Sequence, residues 1–140
     1  MKAYKVVLAR HDGSLNSCCM NWDFPENYRV TYVPNKWVKP VVKGTKLFVF
    51  LNEEEAVRFW EKDRYSWEVW ECDILNPIAI KPVFPTRIEE YWNYIVNNIV
   101  SKKKKFHDDV AVPRMTDIGQ SCRACSAVKL TRKVKARKYE

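Results

Sequence analysis

Three groups of residues in this 140-residue chain have side chains and spacings suited to chemistry. Cys122-Arg123-Ala124-Cys125 has the spacing of two metal ligands, and thiolates are ligands for zinc. A structural zinc site takes four ligands, so two of Cys18, Cys19, His11 and His107 would have to complete it. The chain has no second C-x-x-C and no H-x-x-x-H. The thioredoxin-like βαβ setting that a redox C-x-x-C needs is also missing. The expectation is therefore a pair of partly buried, reduced thiols without a metal.

The second group combines cations and carboxylates on strand-like segments. Arg10 and His11 end the first apolar stretch, beside the turn signal Asp12-Gly13. A histidine there could bind an anion or carry protons, although a hairpin-end histidine is more often solvated. Glu68, Glu71 and Asp73 lie in the segment WEVWECDI, where strand alternation puts Glu71 and Asp73 on one face and Glu68 on the other. A carboxylate lining a cleft can act as a general base or hold a ribose hydroxyl. The plainer expectation is a half-exposed strand with a polar face, which leaves Glu71 oddly placed beside Trp67 and Val69.

The third group is the basic end of the chain. Residues 1–101 carry 13 Lys/Arg and 13 Asp/Glu, and residues 102–140 carry 12 and 4, so the whole net charge of +8 lies in the last 39 residues. Lys102 to Lys105 suit the negative end of a helix dipole. Lys129, Arg132, Lys133, Lys135, Arg137 and Lys138 exceed that need and would attract a polyanion or a phosphorylated small molecule. Six Trp, seven Tyr and six Phe make the chain rich in aromatics. Most belong to a core. Trp37, near turns and close to Arg29 and Lys36, could offer a face on which a base stacks.

These groups must be placed by a globular scaffold. The chain is 46% hydrophobic and long enough to bury a core. It has five cysteines, an odd number, and no signal-peptide pattern, so reduced thiols and a cytoplasmic location are expected. No apolar run is long enough for a bilayer. Three glycines leave little room for a glycine-rich phosphate loop.

Alternation and turn residues predict strands at Tyr4–Arg10, Leu15–Cys19, Tyr28–Tyr32, Lys46–Leu51, Trp67–Ile74, Ile78–Ile80 and Ala127–Val134. A first helix follows Asn52, its N-cap, with Glu55 placed to reach back. Its apolar face is Ala56, Phe59 and Trp60. A second helix opens on the capping box Thr86/Glu89 and carries Ile88, Tyr91, Trp92, Ile95, Val96 and Ile99 as one stripe. Arg132 falls on the apolar face of the last strand, so that strand is expected to leave the sheet there. The predicted fold is α+β: one twisted, mostly antiparallel sheet with two helices packed on it. It forms a single compact domain over residues 1–134, with a basic tail at 135–140.

The run Gly44 to Trp60, followed by Trp67 to Cys72, resembles the strand, short acidic helix and strand in the middle of ADP-ribosyltransferase-like domains. The opening strand Tyr4–Arg10 is similar to theirs, and the likeness covers about half of the chain. The layout is also similar to small uncharacterised bacterial and phage proteins. The resemblance implies NAD as cofactor, bound by Arg10 or His11, with Glu71 as the catalytic glutamate.

The leading expectation is nevertheless a non-catalytic binding protein with no cofactor. Its partner would be anionic, either a nucleotide-like small molecule or nucleic acid, and no membrane is involved. The binding residues would be Arg29, Trp37, Lys129, Arg132 and Lys133. The alternatives are the NAD-using enzyme and a protein-interaction module that uses exposed aromatics. The sequence sets no oligomeric state.

Overall fold

A computed structural model describes residues 1–17, 30–41, 46–61, 66–79 and 121–138. Among them are nine strands and one helix: β1 (Lys2–Ala9), β2 (Leu15–Ser17), β3 (Thr31–Tyr32), β4 (Trp37–Val38), β5 (Leu47–Phe50), α1 (Glu53–Trp60), β6 (Trp67–Leu75), β7 (Ile78–Ala79), β8 (Cys122–Cys125) and β9 (Ala127–Lys135). All pairings between them are antiparallel. The main order is β4-β9-β6-β1-β5-β8-β7, and β2 and β3 branch from β1.

This corrects the expected fold class. The described residues form an antiparallel sheet with one short helix, not an α+β layer with two helices packed on a sheet. The helix predicted after Thr86 lies outside the described residues, as do Arg29, Cys18, Cys19 and His107. Two described strands lie outside the expected set, β4 at Trp37–Val38 and β8. Cys122–Cys125 is itself β8, paired with β5 from Leu47↔Cys125 to Phe50↔Cys122.

β1 organises the sheet because three strands use its two edges. One edge pairs with β6 from Lys2↔Asp73 to Leu8↔Trp67. The other is divided between β5, at Tyr4↔Phe50, and β2, from Val7↔Ser17 to Ala9↔Leu15. β2 pairs with β3, and β4 pairs with β9. The short link between β3 and β4 turns at Asn35, which has φ 66° and donates its N–H to the Leu130 carbonyl at 2.8 Å. The sheet thereby curls, and one face becomes an interior.

Alternation assigns that interior. Ala3, Val7, Leu15, Tyr32, Leu47, Val49, Cys72, Ile74, Cys125, Val128 and Leu130 form one buried cluster. Complete burial of a Leu, Ile or Val contributes about 1.5–3 kcal/mol. Lys5 also points inward and is 5% exposed. Its Nζ donates to the Phe48 carbonyl at 2.6 Å and sits 5.5 Å from the Tyr32 ring centroid. Tyr32 Oη and Ser17 Oγ are 3.2 Å apart, and burial pushes the Tyr32 phenol above its ordinary range.

α1 covers the other face. Phe59 lies 5.1 Å from Trp67 and 5.5 Å from Phe50, centroid to centroid. Ala56 is fully buried, as the apolar spacing of this helix predicts. Asn52 is the N-cap, and its side chain accepts from Glu55 N–H at 3.3 Å. Three glutamates occupy the first turn, where the helix dipole favours them. The Glu55 carboxylate accepts from the N–H of Ser121 at 2.9 Å and from its hydroxyl, so the cap is tied to the start of β8. Asn52 N–H in turn donates to Ser121 Oγ at 3.3 Å.

Candidate functional site

The basic strand β9 runs antiparallel to β6, and two irregularities in its register decide where its cations point. Cys72 pairs with Leu130, but Glu71 pairs with Arg132, so Thr131 is an extra residue. Two residues opposite one is a β-bulge. Thr131 Oγ1 donates to the Glu71 carbonyl at 3.0 Å. A second shift lies between Trp70↔Lys133 and Val69↔Lys135. The strand does not leave the sheet at Arg132, as strict alternation predicts. It bulges there and continues to Lys135.

The first bulge puts Arg132 on the α1 side of the sheet, on the same face as Glu71. Arg132 Nη2 and Nε donate to Glu71 Oε2 at 2.7 and 3.2 Å, and Lys2 Nζ lies 2.7 Å from Oε1. The hydrogen bonds from Lys2 and then Arg132 hold the Glu71 carboxyl below the usual carboxylate range. Glu71 raises the pKa of both Lys2 and Arg132 in return.

Farther along this face, Lys129 lies 3.8 Å from Asp73 and 5.2 Å from the Trp37 ring centroid. At the opposite end, Lys135 and Lys138 stand 5.9 and 4.8 Å from the Trp60 ring centroid. The Trp60 indole N–H is fixed by the Trp67 carbonyl at 2.7 Å, and Lys138 also donates to the Glu61 carbonyl at 3.0 Å. Each contact between a cation and an aromatic ring contributes about 0.5–1 kcal/mol at an exposed site.

The other side of β9 meets the end of the interior. Glu68 is 2% exposed. Its Oε1 accepts from Trp70 Nε1 at 3.0 Å, and its Oε2 lies 3.3 Å from Lys133 and 4.0 Å from Arg137. Lys133 also sits 5.7 Å from the Trp70 ring centroid. These residues border a cleft of about 330 Å³, walled on its far side by residues 13–15 and 31–34.

The predicted site residues therefore separate into groups. Trp37 and Lys129 touch one another, and Arg132 joins the same face through Glu71. Lys133 faces the cleft instead. Arg10 and His11 do not join Glu71. Glu71 pairs with Tyr4, six residues before Arg10 on the same chain, which is about 20 Å of extended strand. Arg10 closes the hairpin turn, with its N–H donating to the Ser14 carbonyl at 2.9 Å, and His11 is exposed.

Cys122 and Cys125 are both buried and lie three residues apart in β8. Residues three apart in a strand face opposite sides, and they are about 10 Å apart along it. In this strand they do not form a pair of ligands to one ion, and no group of three metal-binding side chains occurs among the described residues. No described helix is long and apolar enough to cross a membrane. The expected tail also has contacts, because β9 reaches Lys135 and Arg137 and Lys138 pack back on the body.

Sequence reasoning missed Lys2 and Trp60 as partners of the basic strand. Neither has a local signal, since both meet β9 only through long-range pairing. No protein-family model, no curated protein and no solved structure matches the chain.

Proposed function

We propose that the protein is a non-catalytic binder of single-stranded nucleic acid, using the α1 side of β9, β6 and β4. One observation carries this reading. Lysines are paired with tryptophan rings at both ends of the strip, Lys129 with Trp37 and Lys135 and Lys138 with Trp60, and Arg132 lies between them. Among the described residues, Lys2 and Arg132 share the Glu71 carboxylate and Lys129 lies beside Asp73, with Glu53 of α1 also acting on Arg132. Single strands are held by this combination, with bases on aromatic faces and phosphates on cations. Trp37 is 45% exposed, so its ring is open to stacking. Lys129 and Lys135 pair with β6 residues four apart, which separates them by about 13 Å.

The test is anisotropy of labelled single-stranded oligonucleotides over a series of salt concentrations. The logarithm of affinity should fall linearly with the logarithm of salt, with a slope of about −0.7 for each phosphate neutralised. Lys129→Ala with Lys135→Ala should flatten that slope, and Trp37→Ala should weaken binding without changing it. Binding that ignores salt, or no binding at low salt, rejects the proposal.

A further inference from the structure

The cleft on the opposite side of β9 has a different chemistry from the strip, and we infer that it is a separate binding site for a nucleoside monophosphate. Its volume of about 330 Å³ is at the small end of the range of roughly 300–1,000 Å³ typical of ligand pockets. That size suits one nucleotide and is small for a dinucleotide such as NAD. The far wall mixes the apolar Leu15, Tyr32, Val33 and Pro34 with the hydroxyls of Ser14 and Thr31, which suits a base and sugar edge. The rim opposite carries Lys133 and Arg137 beside the Trp70 indole.

Both rim cations are already oriented. Glu68, buried behind them, holds Lys133 at 3.3 Å and Arg137 at 4.0 Å. The Trp70 indole N–H binds the other oxygen of the same carboxylate, which fixes the ring edge. One carboxylate facing two cations leaves one positive charge in excess. Lys133 and Arg137 keep side-chain exposures of 45% and 28%, so each can meet a ligand phosphate without releasing Glu68. The phosphate contact is charge-assisted, the stronger kind of hydrogen bond. Glu68, itself part of the cleft lining, therefore works as a positioning residue that holds the two cations at the mouth of the cleft.

The test uses the full chain, with AMP, adenosine and inorganic phosphate titrated separately. Thermal shift and tryptophan fluorescence are the readouts. AMP at millimolar concentration should raise Tm and change the tryptophan emission, and adenosine or phosphate at the same concentration should do much less. Lys133→Gln with Arg137→Gln should abolish the AMP effect. That variant leaves Glu68 buried and can lose stability, so Val33→Trp is the companion. Val33 is 46% exposed and lines the cleft, and a tryptophan there fills the space without entering the core.

Val33→Trp should fold with near-normal Tm and lose the AMP response, whereas Lys129→Ala, on the other face, should keep it. No response to AMP, an equal response to inorganic phosphate, or an AMP response that survives Val33→Trp overturns the inference. Oligonucleotide binding by the strip is read separately, because Lys129→Ala weakens it and Val33→Trp does not.

Discussion

Arg132 Nη2 lies 2.7 Å from Glu71 Oε2, although strict alternation from the buried Leu130 would carry Arg132 to the opposite face. The extra residue Thr131 makes the difference. It allows Leu130 to stay inside and Arg132 to join Lys2 around one carboxylate. The same offset turns Lys133 toward Trp70 and the cleft. The two register shifts together place Lys129, Arg132 and Lys135 on one face and Lys133 on the other.

Acid should weaken the Lys2–Glu71–Arg132 cluster. The folded-state pKa of Glu71 is depressed, so its contribution is fully present above the unfolded carboxylate pKa and is lost as pH falls through the folded value. Lys2 is raised, so its contribution is lost only as strongly alkaline pH passes the folded value. Glu71→Gln should lower Tm at neutral pH, and the gap from the parent protein should close on acidification. A gap that is constant across the acid range would contradict this assignment.

The Glu68 cluster should respond asymmetrically. Glu68→Gln keeps an acceptor for Trp70 and frees two partly exposed cations to water, so its cost should be small. Lys133→Ala with Arg137→Ala leaves a buried carboxylate with reduced compensation, at a cost of about 1–3 kcal/mol after allowance for solvent screening of the exposed partners. Urea unfolding of the two variants measures the difference. A larger loss for Glu68→Gln would show that the carboxylate is the mainstay of the cluster.

Capping of α1 combines a local and a distant contribution. Asn52→Ala should cost about 1 kcal/mol, as removal of an N-cap usually does. Ser121→Ala should also destabilise, because it removes the hydroxyl shared by Asn52 N–H and the Glu55 carboxylate. A double-mutant cycle of Ser121→Ala and Glu55→Gln should show coupling. Strict additivity of the two losses would mean that the clamp between α1 and β8 has no energetic role.

Three thiols should be inert in the native state. Burial pushes Cys72 and Cys122 up to about 12 and Cys125 up to about 11, and the thiolate is the reactive form. In a Cys18→Ser, Cys19→Ser variant, a colorimetric thiol reagent at pH 8 should find almost no fast-reacting group before denaturant and three after it. A fast native reaction would disprove the burial of these side chains.

Much of the scaffold is legible locally. β1, β5 and β6 follow from their apolar and alternating segments, and the β1–β2 hairpin follows from Asp12-Gly13, where Gly13 has φ 86°. Asn52 and the three glutamates after it mark the start of α1. β8 was not legible, because C-R-A-C is short and suggests ligand spacing before it suggests a strand. The face taken by Arg132 was misread, because a bulge has no local signature in A-V-K-L-T-R-K-V.

Segregation of charge, the inward-facing apolar residues and the supply of aromatics are all written in the order of the amino acids. Those properties depend on composition and on the period-two geometry of a strand. Which carboxylate meets which cation depends on how the strands assemble. Glu68, Glu71 and Asp73 come from the charge-neutral part of the chain, and they meet the basic end only because β9 lies beside β6 in a bulged register. Register is a long-range choice, and one extra residue sends every later side chain to the other face. Among the described residues, the cations of β9 and of the residues after it are therefore partly answered within the fold by Glu68, Glu71 and Asp73.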